Sequence, residues 1–158
     1  MNYCVEKNGI KALCREGTLD EFVVREVLSG EYRKLNIGTA DVVADIGMII
    51  GIFSLHAATV GANNVYGFEP DAENFQLAKH NIEINNATDT VHPLNLAVTG
   101  THDSFRSFSL NVKKNKGLHS LVAKKGRRTV SVACININKL LEEYTPSIIK
   151  MDIEGGEY

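Results

Sequence analysis

Asp45-Ile46-Gly47-Met48-Ile49-Ile50-Gly51, followed by Val65-Tyr66-Gly67-Phe68-Glu69-Pro70, decides the reading of this chain. The residues before the first glycine, Asp41-Val42-Val43-Ala44-Asp45, form a short, nearly continuous apolar run. Such a run suits a parallel strand covered on both faces. Gly47 lets the backbone turn sharply and removes the Cβ that would obstruct a ligand. Gly51 permits close packing of the next helix, or a second close approach. Residues 53–60, rich in alanine, read as that helix, closed near Gly61. Glu69 ends the next strand, one βα unit on, where a carboxylate can accept hydrogen bonds from both hydroxyls of a ribose.

Two ligand classes use such parts. A nicotinamide dinucleotide calls for G-x-G-x-x-G, with a helix N-terminus facing the pyrophosphate. Here Ile49 stands at the second glycine position and an acid, Asp45, precedes the first. An acid there repels a pyrophosphate and suits an ammonium or sulfonium group. S-adenosylmethionine carries both cations and no phosphate, so the pattern favours a methyl donor over a dinucleotide. A dinucleotide-dependent oxidoreductase is the competing enzyme class.

Outward from this centre, strands and helices alternate, which predicts a mostly parallel α/β sheet with right-handed crossovers. Its ligand should lie beyond the carboxyl ends of the strands, near the point where strand order reverses. Upstream, residues 1–40 read as a hairpin and a helix. Asn8-Gly9 suits a tight hairpin turn, and Thr18-Leu19-Asp20-Glu21 reads as a capping box. Downstream, Asp71 caps a helix over residues 72–85, and residues 91–98 form the third strand. Residues 105–138 read as strands without intervening helices, an antiparallel excursion, with a lysine- and arginine-rich stretch expected to be a solvated turn. A short helix ends before Pro146, and Ser147-Ile148-Ile149-Lys150-Met151-Asp152 is a further buried strand.

Composition narrows the class. The chain has 158 residues, 44% hydrophobic and 23% charged, with a formal net charge of -2. It is long enough for one core, and the charge argues against nucleic acid as a partner. No apolar run approaches a membrane span, and no signal peptide is recognisable. Cys4, Cys14 and Cys134 form no metal-binding or disulfide spacing, and the histidines add none, so no metal is expected. The cysteines read as small buried apolar residues, and a cytoplasmic location is the expectation.

The three segments around residues 43–54, 65–70 and 150–157, with Asn74, Asn81 and Leu96-Ala97-Val98 between them, are together similar to the FkbM family of methyltransferases. In particular Lys150-Met151-Asp152-Ile153-Glu154-Gly155 and Glu157 resemble that family's Lys-Ile-Asp-Val-Glu-Gly-x-Glu segment. The resemblance covers roughly residues 20–158. It implies a Rossmann-like class I methyltransferase fold that binds S-adenosylmethionine. Asp45, Gly47 and Gly51 would then frame the methionine part, Glu69 the ribose, and Asn95 and Ala97 the adenine. Asp152 and Glu154 would be the catalytic acids beside the acceptor, orienting or deprotonating a hydroxyl. The implied reaction is O-methylation of a small molecule or sugar. Ile49 stands where the family usually has asparagine. The family continues for several strands beyond its Asp-Val-Glu-Gly segment, so residues 41–158 are expected to form a donor-binding core with its last strands missing. The alternative is a non-catalytic domain that binds the donor weakly or self-associates through an exposed sheet edge.

Overall fold

The computed structural model of the chain describes residues 1–110 and 128–153. The N-terminal hairpin pairs β1 (Asn2–Lys7) with β2 (Ile10–Arg15) in an antiparallel register that brings Lys7 opposite Ile10. Asn8 and Gly9 both take positive φ, 53° and 79°, the geometry that matches a two-residue turn to strand twist. Helix α1 (Asp20–Ser29) follows. The expected capping box does not form. Leu19 occupies the N-cap, and the Thr18 hydroxyl accepts the Asp20 N–H at 3.2 Å. Glu21 turns outward to Arg25 and the Tyr3 hydroxyl.

The central sheet has the order β5-β4-β3-β9 and is parallel throughout: β3 (Val42–Ile46), β4 (Asn64–Phe68), β5 (Val91–Leu94) and β9 (Ile148–Met151). The chain steps outward from β3 to β5, then returns to lay β9 on the other side of β3. Strand order therefore reverses at the β3–β9 boundary. Helices α2 (Ile52–Val60) and α3 (Ala72–Ile84) make the crossovers. The Asp71 side chain caps α3 by accepting the Asn74 N–H at 2.8 Å. Both faces of β3 and β4 are covered, as their apolar runs require. β9, expected as a buried strand, is not: it alternates between half-buried and exposed, with Ile149 and Met151 44% and 43% exposed, because β3 is its one strand partner among the described residues. Val43 and Val65 pack with α1, α2 and the hairpin residues Ile10, Ala12 and Cys14. On the other face Ala44, Ile46 and Phe68 pack with Leu140 of α4 (Ile137–Tyr144) and with Val98 and Ile135.

The third strand is not continuous over residues 91–98. Pro93 interrupts the supply of N–H donors, and the chain turns at Asn95, where the Leu96 N–H folds back to the Leu94 carbonyl. Beyond it, β6 (Ala97–Thr99) joins a second sheet of order β6-β8-β7, made with β7 (Phe105–Leu110) and β8 (Arg128–Asn136). The β7–β8 pairing is antiparallel, as the excursion predicts; most of its basic stretch lies outside the described residues. Of the cysteines only Cys14 is buried, and Cys4 is exposed because β1 is the outer strand of the hairpin. Among the described residues no helix is long and apolar enough to cross a membrane.

Candidate functional site

The loop between β3 and α2 is built on three left-handed residues: Gly47 (φ 81°), Ile49 (φ 54°) and Gly51 (φ 84°). Gly47 and Met48 both donate their N–H groups to the Phe68 carbonyl at 3.0 Å, which ties the loop to the end of β4. A Cβ on Gly47 would lie 2.0 Å from the Asp152 carbonyl oxygen, so glycine is required by the approach of β9 as well as by φ. Gly51 performs the first of its two expected tasks, close packing of the next helix. A Cβ there would meet the Ala78 Cβ at 3.3 Å, so this glycine seats α2 against α3. Ile49 is the anomaly, because a β-branched residue in this region is strained by about 1–2 kcal/mol. Asparagine is one of the few side chains that tolerates it. The residue usual in the family thus answers a backbone demand that spacing alone does not reveal.

Glu69 is buried at the end of β4, 4% exposed. Its Oε2 accepts the Ile49 N–H at 2.9 Å and its Oε1 the Asp71 N–H at 2.8 Å. The Asn74 side chain adds a third hydrogen bond. Burial pushes the Glu69 pKa up to about 8, although those hydrogen bonds favour the ionised form. A carboxylate offers about four acceptor positions, so three protein donors leave room for about one more. The expected contact of Glu69 with both ribose hydroxyls meets a limit here. The carboxylate can accept one as it stands, and a second only by releasing a backbone partner.

Asp45 is fully buried on β3 and turned toward the protein. Its Oδ2 accepts from the Ser54 hydroxyl at 2.7 Å, and its Oδ1 lies 3.2 Å from the Lys150 ammonium. Lys150 also donates to the Gly47 carbonyl at 2.8 Å. Burial works against the Lys150 charge, but the Asp45 and Asp152 carboxylates outweigh it and raise its pKa above the ordinary value. The negative charge expected to attract a sulfonium is therefore compensated within the fold by Lys150, which also ties Asp45 to the glycine loop.

The remaining expected residues separate. Asn95 is exposed and donates from its side chain to the Glu69 and Pro70 carbonyls at 2.7 and 3.2 Å, so it braces the turn beside Glu69. Ala97 does not reach the site. It is 3% exposed in a cluster with Phe108 and Val132, because the chain has already left the central sheet. Asp152 follows β9, its N–H on the Ile46 carbonyl at 2.9 Å, and the residue is exposed. Glu154 lies outside the described residues.

Two residues join the site that motif reading leaves without a role. Lys150 is one. Tyr32 is the other, packed against Phe53 with ring centres 5.0 Å apart and ring planes tilted by 60°. Burial raises its pKa, Lys150 opposes, and Asp152 and Asp45 add to the rise. This places a protonated phenol in the same electrostatic neighbourhood as both acids. Among the described residues no group of histidine, cysteine and acidic side chains is arranged to hold a metal.

Comparison with known proteins agrees with this geometry. The sequence pattern of the methyltransferase FkbM domain matches residues 41–158. A ribosomal protein L11 methyltransferase of Bacillus pumilus (strain SAFR-032) is 40% identical over 67 residues, 40% of this chain and 22% of that protein. A second, from Streptococcus agalactiae, is 30% identical over 71 residues, 45% of this chain and 20% of that protein. The chain thus spans about a fifth of the curated relatives it matches. The crystal structure of a methyltransferase FkbM from Methylobacillus flagellatus KT superposes with a TM-score of 0.53 at 18% identity, covering 84% of this chain and 31% of that one. That similarity establishes the shared Rossmann-like class I fold. With the family pattern matched from β3 onward, this chain belongs to the FkbM methyltransferase family.

Proposed function

We propose that this chain binds S-adenosylmethionine at the carboxyl ends of β3 and β4 and serves the O-methylation of a small molecule or sugar. The observation that carries the reading is Glu69: a buried carboxylate at the end of β4, holding the left-handed loop by the Ile49 N–H and retaining room for about one more donor. A ribose hydroxyl has the chemistry for that acceptor position, and the carboxyl ends of parallel strands are where such sheets bind ligands. Asn95 keeps the turn beside Glu69 in place. S-adenosylmethionine supplies an activated methyl group, and its transfer depends chiefly on alignment with the acceptor. Asp152, exposed beyond β9, is the described acid best placed to accept the proton of an acceptor hydroxyl. Its partner from the motif, Glu154, shares that assignment on sequence grounds. A protein acceptor is the second reading, supported by the likeness to ribosomal protein L11 methyltransferases.

Calorimetric titration with S-adenosylhomocysteine tests the donor site. Saturable binding is expected, weakened by about tenfold or more in Glu69→Gln above about pH 8, where the wild-type side chain is an ionised acceptor. No heat from a folded wild-type sample at ligand concentrations on the order of millimolar rejects the reading. Transfer of labelled methyl to sugars, and separately to ribosomal protein L11, distinguishes the acceptors.

A further inference from the structure

We propose that Arg15, on the N-terminal hairpin, is a positioning residue for the ribose-accepting carboxylate of Glu69 and acts through Asn74. The proposal rests on the donor-binding reading of Glu69. Arg15 lies outside residues 41–158, the part matched by the family pattern, so the arrangement is a contribution of this chain's own N-terminal segment.

Three bonds fix Arg15 to Asp20. Its Nε and Nη2 donate to the two carboxylate oxygens at 2.8 and 2.9 Å, and its backbone N–H to Oδ2 at 2.9 Å. The same Nη2 reaches across to α3 and donates to the Asn74 Oδ1 at 2.8 Å. A guanidinium has donors only, so it can meet only the oxygen end of an amide. Asn74 is 1% exposed, and its backbone N–H is held by Asp71. Its amide is therefore oriented, with the oxygen toward Arg15 and the NH2 group left for the Glu69 carboxylate, which its side chain hydrogen-bonds. Without Arg15 the amide is free to turn its oxygen toward Glu69, which repels the ionised form and misaligns it. The path runs Asp20, Arg15, Asn74, Glu69, from hairpin to sheet end.

The test compares binding of adenosine and 2′,3′-dideoxyadenosine to wild type, Arg15→Met and Arg15→Lys. Arg15→Met should lose roughly fivefold in adenosine affinity and nothing for the dideoxy compound, with partial recovery in Arg15→Lys. Equal losses for both nucleosides, or no loss for either, overturn the proposal. Arg15→Met leaves Asp20 unpaired; if it does not fold, the double variant Arg15→Met/Asp20→Asn removes that charge and reports the same ratio. In the ligand-free protein, NMR titration of the Glu69 carboxyl should show its pKa rising further in Arg15→Met, and an unchanged pKa overturns the relay by itself. A wild type that binds neither nucleoside, with the carboxyl pKa still coupled to Arg15, rejects the donor-binding reading and leaves only the hydrogen-bond relay standing.

Discussion

The ends of β4 and β9 flank the same glycine loop and each carries an acid, yet the two are treated oppositely. Glu69 is buried, held by two backbone N–H groups and an amide, and its pKa rises to about 8. Asp152 is anchored by its backbone but exposed to solvent. The β4 end holds its carboxylate in a geometry fixed by protein donors. The β9 end is tied to the loop through its backbone and through Lys150, and leaves a carboxylate accessible. The difference follows from environment, since the two side chains have nearly the same chemistry. A carboxylate with fixed donors selects a ligand by shape, whereas an exposed one can follow its partner.

The strongest way to break this contrast is to cut the link between its halves. Lys150→Met leaves Asp45 buried and without its cation, and should destabilise the protein by about 3–5 kcal/mol in urea unfolding. A loss below about 1 kcal/mol would mean the Lys150–Asp45 contact is not a buried pair in solution. Gly47→Ala comes next. It forces a left-handed alanine into the Asp152 carbonyl, and a loss of about 2–4 kcal/mol in the same measurement is expected. Unchanged stability would show that β9 does not approach the loop this closely.

The pH dependence sharpens the contrast further. The folded Glu69 pKa of about 8 lies above its ordinary value of 4.5, so the folded state holds the proton more tightly. This contribution is fully present below the ordinary value and is lost as pH rises through about 8, at a slope on the order of 1 kcal/mol per pH unit. Urea midpoints of wild type should fall across that window more steeply than those of Glu69→Gln; identical slopes would remove Glu69 as the cause. Donor affinity should move the opposite way, rising with pH, because the ionised carboxylate is the better acceptor. The smallest effect is expected at the β9 end. Asp152→Asn should change stability by less than about 0.5 kcal/mol, as for an exposed side chain. A larger loss in unfolding experiments would show that Asp152 is a structural acid like Asp45.

Much of the hairpin and the central sheet was legible because their signals are local. The Asn8-Gly9 turn, the Asp71 cap, the apolar runs of β3 and β9 and the glycine that ends α2 each act within a few residues. The misreadings share a cause. Thr18-Leu19-Asp20-Glu21 has the letters of a capping box, but the hairpin supplies Arg15 to Asp20 and Tyr3 to Glu21. Residues 91–98 have the pattern of one strand, but Ala97 is claimed by a second sheet whose other strands come later in the chain. In each case a distant partner outbid the local preference.

The candidate site divides along the same line. The sequence alone determined that a turn with glycines follows an apolar strand and that an acid ends the next one, since turn chemistry and strand periodicity are properties of neighbouring residues. Only the tertiary structure decided what each acid is for. It buried Glu69 against three donors, neutralised Asp45 with Lys150, left Asp152 open, and required a left-handed backbone at Ile49. The physical reason is that a carboxylate's role is set by solvent access and by which charges and N–H groups surround it. Those are supplied by residues far apart in the chain, which no spacing within a motif encodes.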